Sequence, residues 1–331
     1  MKLSLFLDPQ EGMSYRTLRD ATLTAESCGY HGMYRSDHLT STADHFERAA
    51  TEAWSTLAGL ARETSTIRLG TLVTPIGFRH PSLYAKILNT VDEMSDGRVD
   101  LSVGTGWYAP EHLRLGLPFN EIKQRFDEME EYLQVLLSLW GVAPFGADAD
   151  RVEGAAAGGG FEGAHYRVDD LTIAPASVQR PHPRMILGGH GPRRTPRIAA
   201  RYADEYNVDW LSPEETGRLN RNVDKACAAI GRDPGEIGRS ILVGAVVAES
   251  PAAVDSRLRQ AGEFLGLDDV DGWRETNRES WTVGTTDDLI DRLRQYAAVG
   301  IDHTMLMLAP GDDLDVIEHV AQVVMPAIAK S

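Results

Sequence analysis

Short apolar runs alternate with amphipathic stretches along almost the entire chain, and no other feature limits its fold so tightly. Leu3 to Leu7 reads as a first strand and Ser14 to Cys28 as a first helix. Met33 to Ser36 then reads as strand, Trp54 to Thr64 as helix, Ile67 to Thr74 as strand, Pro81 to Met94 as helix and Val99 to Val103 as strand. Phe126, Met129, Leu133, Leu136, Leu137 and Trp140 fall at offsets 0, 3, 7, 10, 11 and 14, one apolar stripe at the helical period. Glu128, Glu130 and Glu131 lie off that stripe and face water. Met185 to Leu187 (strand), Arg193 to Tyr202 (helix), Tyr206 to Trp210 (strand), Pro213 to Ile230 (helix) and Ile241 to Ala248 (strand) continue the rhythm. After an interruption, His303 to Leu308 gives an eighth strand and Leu314 to Ala329 a closing helix. Strands alternating with helices in this way require parallel pairing through helical crossovers. The expected fold is a single α/β domain over residues 1–331, a (β/α)8 TIM barrel, with a doubly wound open sheet as the competitor.

Two regions break the pattern. Residues 141–163 hold Gly-Ala-Asp-Ala-Asp and Ala-Ala-Ala-Gly-Gly-Gly, with no core-forming periodicity, and residues 267–281 are polar with two tryptophans. Both are expected to be insertion loops at the C-terminal face, the first flexible and the second a lid.

A chain that is 42% hydrophobic and 25% charged has the composition of a globular protein. Its net charge of −16 opposes nucleic acid and anionic membranes as partners, but leaves room for an anionic cofactor held by local arginines and helix N-termini. The two cysteines, Cys28 and Cys227, make neither a disulfide framework nor a metal site. The N-terminus runs straight into strand pattern, with Asp8 and Pro9 where a signal peptide stays apolar. No run reaches the roughly 18 apolar residues of a membrane span. A cytoplasmic location is the expectation.

In a barrel of this kind the C-terminal strand ends and their loops build the active site. Arg35-Ser36-Asp37-His38 follows strand two. His38 is suited to proton transfer near neutrality, with Asp37 placed to orient it unless the neighbours point apart; a plain loop histidine is the alternative. Gly104-Thr105-Gly106-Trp107 follows strand four, with Glu111 close behind; Gly104 and Gly106 would let a flat ring approach the backbone, or would merely make a tight turn. Gly188-Gly189-His190-Gly191-Pro192 leads into a helix, where backbone amides favour an anion and Arg193 and Arg194 add positive charge. The spacing is not the dinucleotide G-x-G-x-x-G, and no metal-ligand spacing, Walker sequence or G-x-S-x-G elbow is present. His31, His45, His112, His165 and His182 lack partners at ligand spacing and read as surface or capping residues.

The stretches YRSDHL, IRLGTLVTPIGFRHPSLYAKILNTVDEMSDGRVDLSVGTGWYAPEH, FEGAHYRVDDLTIAPASVQRPHPRMILGGHGPRRTPRIAARYADEYN and GTTDDLIDRLRQYAAVGIDH, in this order, resemble the luciferase-like monooxygenase superfamily, in particular its coenzyme F-420-dependent oxidoreductase branch. The resemblance implies that a flavin or deazaflavin ring lies in the barrel mouth. It implies a non-proline cis peptide at Thr71–Leu72 behind the ring, and His38 beside the reactive atoms with Asp37 as neighbour. It also implies Gly188, Gly189, His190 and Gly191 around the cofactor's phosphate tail, and Phe6 and Asp8 as ring-edge or substrate-pocket positions. Two departures stand out. The sugar-phosphate dehydrogenases of this family carry a glutamate directly after Gly-Thr-Gly where this chain has Trp107, and their phosphate-binding lysine is missing from Asp209-Trp210-Leu211-Ser212. Both argue against a sugar-phosphate substrate.

The expected function is hydride transfer between reduced coenzyme F-420 and a small organic substrate. His38 would move the coupled proton, Trp107 would wall the substrate side, and Glu111 would be a second proton-transfer candidate. One alternative is an FMNH2-dependent two-component monooxygenase supplied by a flavin reductase; another is a non-catalytic flavin-binding barrel. The resemblance further implies a homodimer packed through the helices around strands two and three.

Overall fold

The computed structural model describes residues 1–331 except 44, 147–154, 157–159, 171, 266, 310, 312, 330 and 331. Eight parallel strands close on themselves: β1 (Lys2–Leu7), β2 (Gly32–Arg35), β3 (Arg68–Thr71), β4 (Val99–Gly104), β5 (Arg184–Gly188), β6 (Glu205–Asp209), β7 (Gly238–Ala248) and β8 (His303–Leu308). Neighbours in sequence are neighbours in space, and β8 returns to β1 with Lys2 opposite His303. The helices that follow these strands are α1 (Tyr15–Ser27), α2 (Ala53–Glu63), α3 (Pro81–Met94), α4 (Ile122–Leu139), α5 (Arg194–Tyr202), α6 (Pro213–Ala229), α7 (Thr286–Ala298) and α8 (Leu314–His319). This is the expected TIM barrel, and the pairing of β8 with β1 excludes the open doubly wound sheet.

Successive side chains on a strand point to opposite faces, and that period of two divides the core in two. Leu3, Leu5 and Leu7 of β1 pack outward, in one cluster with the apolar faces of the helices. Phe6, Ile186, Leu242, Met305 and Met307 belong to a second cluster, inside the barrel. On α4 the expected stripe is the buried face: Met129, Leu133, Leu136 and Leu137 are buried, and Phe126 and Trp140 pack at its edges.

The floor of the barrel, at the N-terminal strand ends, is polar. Ser4 Oγ and His303 Nε2 are 2.8 Å apart, and His303 Nδ1 lies 3.1 Å from Glu205 Oε1. Arg184 pairs with Glu205, while Arg68 Nε donates to both oxygens of Asp100 at 3.0 Å. Buried charges persist only where each has a partner, and this ring of alternating signs provides one for each. Burial alone would raise the Glu205 carboxyl, but His303 and Arg184 outweigh it and hold its pKa at about 2, against an ordinary 4.5.

Several elements differ from expectation. The third strand breaks after Thr71, and Thr74–Pro75 re-pairs with β4 through Thr74↔Val103. Residues 267–281 are not a structureless lid: Asp269 caps a short helix, Val270–Thr276, and Trp281 opens an additional strand, Trp281–Thr285, paired with the upper half of β7. A helix at Pro251–Leu265 and α7 were missed, although Thr285 and Asp288 form a capping box at the start of α7. The closing helix carries a π turn, Val320–Val324, just before Pro326. Proline has no N–H for the carbonyl four residues back and crowds it, so the preceding turn widens. Of the 141–163 insertion, 147–154 and 157–159 lie outside the described residues; Ala155–Ala156, Gly160–Glu162 and Arg167–Val168 form a small antiparallel sheet. Both cysteines are free, Cys227 buried and Cys28 partly so. Among the described residues no helix is long and apolar enough to cross a membrane.

The barrel floor yields a prediction with a definite sign. A depressed folded-state pKa stabilises above the unfolded value and is lost as pH falls toward the folded one. Wild-type stability should therefore drop between about pH 4.5 and about pH 2, and Glu205→Gln should lack that component of the slope. At neutral pH the variant should be less stable by about 1–3 kcal/mol, because the half-buried Arg184 loses its short pair and keeps only Asp100 at 4.0 Å. Urea unfolding of both proteins across this range checks it; parallel pH curves would contradict the assignment.

Candidate active site

The inward positions of the barrel strands, read upward, explain why a cavity opens at the C-terminal end. Asp100 and Ser102 on β4, Ile186 on β5, and Ser240 and Leu242 on β7 fill the lower interior, with the half-buried Arg184 below Ile186. The next inward position on each strand is glycine: Gly104, Gly188 and Gly244. Gly104 and Gly188 line a cavity of about 660 Å³ at the mouth. Its floor is the break in β3. The non-proline cis bond expected at Thr71–Leu72 lies one residue on, at Leu72–Val73. Thr71 still holds ladder register opposite Arg35, and its hydroxyl is turned to Thr74 (2.9 Å) and Ser102 (3.0 Å), so it lies beneath the cavity rather than in it. Leu72 and Val73 line the cavity in its place. A Cβ on Gly104 would lie 2.6 Å from Val73 Cγ2, and one on Gly188 would lie 2.9 Å from Val73 Cγ1. The glycines thus admit Val73, which then forms the flat apolar floor.

His38 stands at the rim with Nδ1 2.9 Å from Glu111 Oε2. Glu111 is buried and also accepts from the backbone N–H groups of Leu39 and Thr40. One carboxylate thereby fixes both the loop and the ring, leaving Nε2 as the imidazole atom available to the cavity. Glu111 is placed to position His38, and its remaining hydrogen-bonding capacity is taken up by the loop. Asp37 does not orient His38: it is held bidentately by Arg79 (2.6 and 3.0 Å) and by the Thr74 hydroxyl (2.6 Å). The two neighbours thus turn to different partners, Asp37 to the segment just before α3 and His38 to Glu111.

Around the rim, Phe6, Gly106, Trp107, Gly189 and His190 line the cavity as expected. Gly106 has φ +78°, which only glycine adopts freely, and Trp107 is 67% exposed with its ring edge-on to His38 at 5.7 Å. Asp8 lines the cavity too; burial raises its carboxyl pKa, against hydrogen bonds from Gln10 and Ser36 and the proximity of His38. His190 sits 2.5 Å from Asp209 Oδ1, a hydrogen bond that raises its pKa. Two residues expected near the phosphate, Gly191 and Arg193, do not line this cavity. Gly191 is glycine because a Cβ there would meet the Thr195 hydroxyl at 2.4 Å, and Arg193, the N-cap of α5, lines a separate groove between α5 and α6.

Sequence reasoning missed Asn207, Asp209, Trp210 and His112 as cavity residues. His112 is buried between Phe78 and Phe119, with Nδ1 2.8 Å from the Pro118 carbonyl oxygen, and burial lowers its pKa. It separates the mouth from a side chamber of about 480 Å³ bearing Arg79 and Arg125. For Asn207 and Asp209 the signal was the period of two along β6. No group of metal-ligating side chains occurs among the described residues.

Comparisons with known proteins agree with this architecture. A sequence model of the luciferase-like monooxygenase family matches residues 1–277. An F420-dependent glucose-6-phosphate dehydrogenase from Intrasporangium calvum is 29% identical over 324 residues, covering 90% of each chain. An FMNH(2)-dependent dimethylsulfone monooxygenase from Pseudomonas putida is 25% identical over 304 residues, covering 84% of this chain and 78% of that one. Among solved structures, an F420-dependent secondary alcohol dehydrogenase in complex with an F420-acetone adduct superposes with a TM-score of 0.79 at 19% identity, covering 99% of this chain and 98% of that one. The monooxygenase RslO1 from Streptomyces bottropensis gives 0.78 at 21%, covering 99% of this chain and 100% of that one.

The contact of Val73 with its glycines is open to test. Gly104→Ala should destabilise the protein by about 1–3 kcal/mol through overpacking against a stiff β-branched side chain. Adding Val73→Ala should recover most of that loss, a coupling that a double-mutant cycle in urea measures. Additive effects would show that the two residues do not constrain one another.

Proposed function

This chain belongs to the luciferase-like monooxygenase family, and on that footing we propose that it transfers hydride between coenzyme F-420 and a small organic substrate. It is an oxidoreductase of a family whose relatives use F-420 or FMN. The observation that carries the finer reading is the His38–Glu111 pair: a buried carboxylate commits one imidazole nitrogen and leaves the other at the cavity rim. An imidazole held this way serves proton transfer coupled to hydride transfer.

The cavity fits a flat tricyclic ring. Leu72 and Val73 give an apolar floor, and Gly104 and Gly188 flank it without side chains. His190 and the backbone around Gly188 and Gly189 are the candidates to hold the phosphate. The bound deazaflavin would supply two-electron hydride chemistry. In the oxidative direction the substrate's C–H bond breaks with its electron pair leaving as hydride, the hydroxyl proton passes to His38 Nε2, and a C=O bond forms; reduction reverses each movement. Glu111 fixes the ring that takes the proton, while Asp37 and Arg79 anchor the loop beneath it. An FMNH2-dependent monooxygenase served by a flavin reductase is the alternative. A homodimer through the α2–α3 face, where Leu83 is 55% exposed, belongs to the same proposal.

Titration of the apo-protein with oxidised F-420 and, separately, FMN, followed by fluorescence, tests the cofactor. Micromolar binding of F-420 with weak FMN binding is expected, and the reverse preference would move the case to oxygen chemistry. His38→Ala should retain F-420 binding yet lower kcat by about 10²–10⁴-fold. Unchanged turnover in a folded variant would remove His38 from the mechanism.

A further inference from the structure

Trp210 closes one side of the cavity on unusual backbone. Its φ is +54°, and only one other non-glycine residue among those described, Asp96, has positive φ. An L-residue held there costs of order 1–3 kcal/mol and persists only when its surroundings hold it. Here the surroundings are aromatic. The Trp210 ring lies parallel to that of Trp281, with centroids 5.5 Å apart and planes 9° apart. Trp273 meets Trp281 edge-on at 4.9 Å. Trp281 in turn fills the space above Gly244, where a Cβ would lie 2.2 Å from its ring. Of the three indoles only Trp210 lines the cavity, so the additional strand and its helix act as a buttress that presents one indole to the mouth. Trp107 and Tyr108 line the same cavity, each edge-on to His38.

The charges point the same way. Among the described cavity-lining residues the basic side chains are His38, His112 and His190, and no arginine or lysine lines the mouth. Four carboxyls, of Asp8, Asp37, Glu111 and Asp209, do. In the side chamber, Arg79 is paired with Asp37 and Glu52, and Arg125 donates through Nη1 to the carbonyl oxygens of Thr105 and Gly106. An anionic substrate would lose its hydration here and find no arginine or lysine on the wall to replace it.

We infer that the substrate subsite takes an uncharged molecule with a flat apolar body, packed against Trp210 and Trp107, whose single hydroxyl or carbonyl is presented to His38. This deepens the hydride-transfer proposal and rests on it for the identity of the reacting group. The aromatic contact does not depend on which flavin is bound.

The test is calorimetric titration of the protein, loaded with whichever of F-420 or FMN it retains, using acetophenone and phenyl phosphate as probes. The two share a flat ring and differ in charge. Acetophenone is expected to bind at least tenfold more tightly. Trp210→Ala should weaken acetophenone by roughly tenfold, and Trp210→Phe, which keeps a flat ring, by no more than about threefold. Equal or tighter binding of phenyl phosphate overturns the inference, as does acetophenone affinity unchanged in a folded Trp210→Ala variant, or no acetophenone binding to the loaded protein. Trp210-dependent acetophenone binding to an FMN-loaded protein that rejects F-420 upholds the subsite and overturns the hydride-transfer reading.

Discussion

The rest of this structure depends on what three strands place at the inward position above their filled lower layers. A strand side chain alternates faces every residue, so the interior of a closed barrel is filled in layers. In the lower layers these strands place charged, polar or apolar side chains inward, and the barrel is filled. Above them, Gly104, Gly188 and Gly244 contribute nothing, and the space is divided among intruders from outside the ladder. Val73 enters over the first two and becomes the floor of the mouth; Trp281 enters over the third and becomes the support for its wall. The cavity is the volume that remains between them.

Polar groups are segregated by the same layering. At the floor, the buried Glu205, His303 and Asp100 and the half-buried Arg184 and Arg68 form a network in which every charge faces an opposite one. At the mouth the carboxylates have separate tasks. Asp37 is fully engaged by Arg79 and Thr74 and acts on the loop, whereas Glu111 engages His38 and acts on the ring that faces the cavity. Two acids close in space thus differ in role because one is saturated by a guanidinium and the other leaves an imidazole as its outlet. The insertion after β7 adds no side chain to the mouth itself but stacks Trp281 behind Trp210, which does line it.

Much of the barrel was legible in the sequence because it is written locally. The stripe from Phe126 to Trp140 gave α4, and the apolar run at 241–248 gave most of β7. The elements missed between Pro251 and Ala298 had signals of their own, a capping box at Thr285 and Asp288 above all, but the polar surroundings of the two tryptophans outweighed them. Trp281 reads as a lid residue in sequence and is buried in the structure, because the glycine that receives it lies 37 positions earlier on another strand.

By itself, the sequence determined the strand–helix alternation, the closed parallel barrel that follows from it, and the set of loops in which the functional residues had to lie. It placed His38, Gly188 and Trp107 at the mouth because strand ends are local features. Only the tertiary structure decided which acid serves His38: the adjacent Asp37 turns to Arg79, and Glu111, 73 residues away, takes the ring. It also moved the cis bond to Leu72–Val73, removed Arg193 from the site and brought in Trp210 and His112. The reason is physical. Periodicity and capping act over a few residues along the chain, whereas a side chain's partner is set by which strand ends closure brings together.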